Sequence, residues 1–88
     1  MLFKLYEMHI MSKMNMTEML DKLKTAGYKY LIELIPGEEG VKLSLMTNNM
    51  HIETMINKYG EKDGYHIYEI KVNTKDDFMK MHDIMSAI

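Results

Sequence analysis

Apolar and polar residues alternate most cleanly between Tyr28 and Thr47. Tyr28, Tyr30, Ile32 and Leu34 share one face and Lys29, Leu31, Glu33 and Ile35 the other; after a break, Val41, Leu43 and Leu45 alternate with Lys42, Ser44 and Met46. A period of two marks a half-buried strand. Between the arms, Pro36-Gly37-Glu38-Glu39-Gly40 is a reversal: Pro36 has no N–H to give a ladder, and the glycines tolerate positive φ. A lone hairpin is marginal in water, so the rest of the chain has to cover its apolar face.

The flanking segments supply candidates for that cover. Leu2 to Ile10 alternates less regularly, with Leu2, Tyr6, Met8 and Ile10 on one side and Phe3, Leu5, Glu7 and His9 on the other, and is predicted as a strand. Met11 to Met14 links it to a helix capped by Asn15 or Thr17 and running through Ala26. Glu18 stands three residues after Asn15, Met16, Met19, Leu20, Leu23 and Ala26 form one stripe, and Gly27 sits where a helix end wants a left-handed residue. Beyond the hairpin, Asn48 or Asn49 caps a second predicted helix with the stripe Ile52, Met55, Ile56 and Tyr59, ended by Gly60. Gly60 to Gly64 is a polar loop before a strand from Tyr65 to Asn73, with His66, Tyr68, Ile70 and Val72 on one side. Thr74 and Asp77 have capping-box spacing and open a last helix, with Phe78, Met81, Met85 and Ile88 along one face and Ile84 beside them.

The predicted order is β-α-β-β-α-β-α. Its first six elements give an α+β fold, the ferredoxin-like split β-α-β with a four-stranded antiparallel sheet, here extended by a C-terminal helix. Right-handed crossovers then place Leu2 to Ile10 and Val41 to Thr47 as the two central, mutually paired strands. Leu23, Ile32, Leu43, Ile56 and Ile70 are expected in the core between the helices and the sheet. The opposite sheet face keeps Phe3, Leu5, Leu31, Ile35, Met46 and Ile67 among charged residues, more apolar area than scattered surface positions provide. The last helix has no sheet face left except that one or a partner's. Phe3, Leu5, Leu31, Met46, Ile67, Phe78, Met81 and Met85 are therefore the predicted binding residues, with Phe78 as anchor.

Composition narrows the chemistry. The 88 residues form one domain, long enough to bury roughly 60% of the unfolded surface. With no Cys there is neither a disulfide framework nor a thiolate metal site. The first residues mix Lys, Glu and His with apolar ones, unlike a signal peptide, and no apolar run is long enough to span a bilayer, so the expected location is cytoplasmic. The net charge is −2 and all 11 basic residues are Lys. Without Arg, and with Phe3 the single aromatic expected on the exposed face of the two central strands, RNA binding ranks low. Twelve Met with no Trp or Gln fit an AT-rich coding sequence.

No catalytic, metal or nucleotide signature emerges. His9, His51, His66 and His82 lack metal-binding spacing, and Met8, Met11, Met14, Met16 and Met19 cross a strand, a link and a helix, which fits core filling better than Cu(I) ligation. Glu7 and His9 could pair as acid and base on one strand, but such pairs are frequent by chance. Neither GEEGVK nor GEKDG is a P-loop. No cofactor is implied and no enzyme is expected. By elimination, the expectation is a small protein-binding module that fits a virus- or mobile-element-encoded inhibitor of a host defence complex. The alternative is a homodimeric ligand-sensing or assembly domain.

Overall fold

Three reversals join four consecutive strands into a meander, and the first strand and two helices complete it. A computed structural model describes residues 6–88. Its elements are β1 (Tyr6–Ser12), α1 (Met16–Thr25), β2 (Lys29–Glu33), β3 (Val41–Thr47), β4 (Met50–Lys62), β5 (Tyr65–Val72) and α2 (Lys75–Ala87). They build one five-stranded sheet in the order β1-β5-β4-β3-β2. Every neighbouring pair is antiparallel, so β1 and β2 run parallel to each other on opposite edges.

This corrects the ferredoxin-like expectation. The segment after Asn49 is the long strand β4, not a helix, so among the described residues the sheet has five strands and two helices cover it. The reason lies in the residues themselves. Ile52, Thr54 and Ile56 recur at period two, all three are β-branched, and all three are buried. Such side chains lose rotamer freedom in a helix and suit a pleated surface. Asn48-Asn49 is a tight turn rather than a cap, Thr47 pairing directly with Met50. At the other end Asp63 and Gly64 both take positive φ, 54° and 81°, the requirement of a two-residue type I′ hairpin. The Ile52, Met55, Ile56, Tyr59 stripe is a coincidence of spacing. With β4 inserted between β3 and β5, Val41–Thr47 pairs β2 and β4, and β1 falls on the edge beside β5.

Elsewhere the local signals hold. The Asn15 side chain accepts from the Glu18 N–H at 2.9 Å and Thr74 accepts from the Asp77 N–H at 3.1 Å, capping α1 and α2. Gly27 takes φ +99° after α1. In the β2–β3 connection the Glu38 N–H reaches the Ile35 carbonyl at 3.1 Å, closing a turn with Pro36 and Gly37 at its centre.

The face assignments made from alternation also hold on β1, β3 and β5. Met8, Leu43, Leu45, Tyr68, Ile70 and Val72 are buried with Ile52 and Ile56 of β4, Met19, Leu20 and Leu23 of α1, and Met81 and Ile84 of α2. Both helices pack on this one face, α1 towards β2 and α2 over β1 and β5. Ile32 is the exception among the five expected core residues: on the edge strand β2 it stays 42% exposed. The buried Tyr68 phenol donates to the Met14 carbonyl at 2.8 Å and fastens the β1–α1 link to the centre of the sheet.

Candidate functional site

Because α1 and α2 share a face, the other face of the sheet is left uncovered among the described residues. The registers place Glu7 and His9 of β1 across from Lys71 and Glu69 of β5, Asn57 and Met55 of β4 across from Glu69 and Lys71, and Lys42 and Ser44 of β3 across from Met55 and Glu53. Opposite charges thus meet across strands. Lys71 Nζ lies 3.3 Å from Glu69 and 3.9 Å from Glu7, His9 Nε2 lies 3.4 Å from Glu69, and Lys42 Nζ lies 3.5 Å from Glu53. The His9 ring stacks on Tyr59, the extra residue of a β4 bulge, with centroids 4.6 Å apart.

Burial pushes the Glu69 carboxyl up, but its hydrogen bonds with Lys71 and His9 outweigh this and hold it below the ordinary carboxylate range. The hydrogen bond to Glu69 raises Lys71 in return. The ligand atoms of Glu7, His9 and Glu69 lie within 4.8 Å of one another, a spacing that admits a metal ion. The Lys71 ammonium already supplies a cation to both carboxylates, and the group reads as an ion-pair network. Glu7 and His9, the acid–base pair weighed from the sequence, are members of it.

The β2–β3 connection folds towards this face and walls an open cleft of about 400 Å³. Glu38, Glu39, Glu53 and Glu69 line it with Lys42 and Lys71, and Ile35, Met55 and Asn57 contribute to its walls. Sequence reasoning missed the cleft because Glu53 and Asn57 enter it only when 50–62 is a strand.

The eight predicted binding residues are divided. Phe3 and Leu5 lie outside the described residues. Leu31, Met46 and Ile67 are on the uncovered face, where Leu31, opposite Ser44, is a diagonal neighbour of Met46, but Ile67 is far from both: Met46 is opposite His51 and Ile67 opposite Gly60, nearly the length of β4, roughly 25–30 Å at strand rise. Phe78, Met81 and Met85 are across the sheet, in the core that α2 makes with β1 and β5. Met81 is fully buried and the Phe78 ring is 6.0 Å from Tyr6. The expectation that α2 would turn to the open face or to a partner fails because the core face, with one predicted helix gone, has room for it.

What the sequence did not single out is the β2 edge. Leu31 is 65% and Leu34 77% exposed, beside the half-exposed Ile32. The expected fold also put this strand at an edge, but the interest there lay on the sheet face, not its rim. No helix among the described residues is long and apolar enough to cross a membrane. No protein-family model, curated protein or solved structure matches this chain.

Proposed function

We propose that this chain is a non-enzymatic protein-binding module that accepts a partner's strand along the outer side of β2. The observation supporting it is an edge strand with large apolar residues exposed on both of its faces, Leu31 on one and Ile32 with Leu34 on the other. An edge offers a row of backbone donors and acceptors, and proteins usually blunt it with charge, Pro or a bulge. Here the charges stand only at the two ends, Lys29 and Glu33. Strand addition uses such an edge directly, main-chain bonds giving affinity and side-chain contacts specificity. The other edge is different in kind: β1 presents Glu7 and His9 within the ion-pair network. In affinity capture from its host cell, the chain should lose its partners on Leu31→Asp together with Ile32→Asp while its melting temperature stays nearly unchanged. Undiminished recovery would overturn the proposal.

A second function is favoured by the cleft, where four carboxylates face two ammonium groups. That balance suits a small polyvalent cation. Thermal shift with a polyamine tests it, and no shift at millimolar ligand argues against it.

A further inference from the structure

We infer that the strand β2 accepts is β2 of a second copy, running antiparallel about a two-fold axis through Leu31. This rests on the edge-strand proposal above and names its partner. The support is self-complementarity written in five residues, Lys29-Tyr30-Leu31-Ile32-Glu33. An axis perpendicular to the sheet keeps each residue on its own face, so only registers that oppose residues of equal parity are open. In the register centred on Leu31, Lys29 meets Glu33 of the copy at both ends, Tyr30 meets Ile32, and Leu31 meets Leu31. Continuing outward, Tyr28 comes opposite Leu34. Each large exposed apolar residue of this segment, Leu31, Ile32 and Leu34, thereby gains an apolar partner, and each charge gains its opposite. Moving the axis to Tyr30 or to Ile32 puts Lys29 or Glu33 against Leu31 and loses both charge pairs. One register is therefore selected over its neighbours by charge and apolarity together.

The result is an isologous contact, the same patch on both subunits. It joins two five-stranded sheets edge to edge, with the helices of both copies on one side and both charged faces on the other. α2 and β1 lie at the far edges and take no part. Since β2 is short, the association is a concentration-dependent equilibrium rather than an obligate one.

The test uses two charge reversals and their mixture. Light scattering and sedimentation of the full chain should show a species of twice the 10.4 kDa chain mass as concentration rises. Glu33→Lys places Lys against Lys at both ends, and Lys29→Glu places Glu against Glu. Each alone should weaken self-association by about tenfold or more, from like charges placed directly opposite. Mixed in equal amounts, the two variants should form a heterodimer, since position 29 of either chain then faces a residue of opposite charge at position 33 of the other. Recovery on mixing also shows that neither variant had lost its fold. A wild-type chain that stays monomeric at every concentration overturns the inference, as does a dimer indifferent to both reversals. A monomeric chain whose host partners still depend on Leu31 and Ile32 overturns self-pairing while leaving the edge-binding function standing.

Discussion

Leu43 is 1% exposed at the centre of β3, between the helices and the sheet. Leu43→Ala should cost about 2–5 kcal/mol, the range for a buried leucine that leaves a cavity; a denaturant melt showing less than about 1 kcal/mol would contradict its burial. Tyr68→Phe keeps the ring but leaves the Met14 carbonyl without its phenol donor, and should cost about 1–3 kcal/mol in the same assay. The charged face gives a pH signature. Glu69 is held below the ordinary carboxylate range, so its stabilising effect is present above that range and is lost as pH falls through the lowered value. Lys71 is raised, so its effect is present below its ordinary range and is lost only as pH rises through the raised value. Stability measured from about pH 7 down to about pH 3 should therefore drop at the acid end, and Glu69→Gln should flatten that limb. At this scale the sequence was largely legible. Leu23, Leu43 and Ile70 are buried as helical spacing and alternation implied, and Ile56 is buried from strand β4 rather than from the expected helix, whereas Ile32 is not, because burial on an edge strand depends on whether a helix reaches that far.

At the scale of elements, the decisive misreading concerns 48–60, and its cause is local. Four apolar residues at helical spacing competed with three β-branched residues at strand spacing, and the Asp63-Gly64 dipeptide settles the competition by tying this segment to the next strand as a hairpin. A hairpin dipeptide outweighs a short stripe because it fixes a partner, and a partner fixes register. The glycines test this view of the turns. At Gly64 a methyl group would meet nothing within 4 Å, so Gly64→Ala reports the positive φ alone and should cost about 1–2 kcal/mol. At Gly40 the same φ is joined by contact, the added carbon falling 2.3 Å from the Ile56 carbonyl oxygen and 2.9 Å from the Asn57 side chain. Gly40→Ala should be clearly the more damaging of the two in urea melts, because the β2–β3 connection cannot then lie against β4. Equal effects would mean that the connection moves freely off the sheet. The helix caps and Gly27 were readable from sequence because each depends on a few adjacent residues.

For the whole molecule, one edit propagates: turning a helix into a strand moves β1 from the sheet centre to an edge, sends α2 back to the core face, and uncovers a charged face, while β2 stays at an edge in either order. None of this could be found by reading segments one at a time, since strand order is a property of the complete list. The resulting order makes a specific statement about backbone protection. β4 and β5 are each paired on both sides, and their inner residues Ile52, Ile56, Tyr68, Ile70 and Val72 are essentially inaccessible. Their amides should exchange slowest, at the global unfolding limit. β2 is five residues long, paired with β3 alone among the described residues and partly open to solvent on both faces, so its amides should be the fastest of the sheet in dilute protein. If a second copy occupies that edge, β2 becomes an interior strand, and amides at 29–33 should slow as protein concentration rises while those of β1, on the opposite edge, do not change. Hydrogen exchange followed at two concentrations separates these cases residue by residue. Concentration-independent exchange in β2 would leave the edge unoccupied by its own kind, and equal slowing at β1 would place the contact between copies on the wrong side of the sheet.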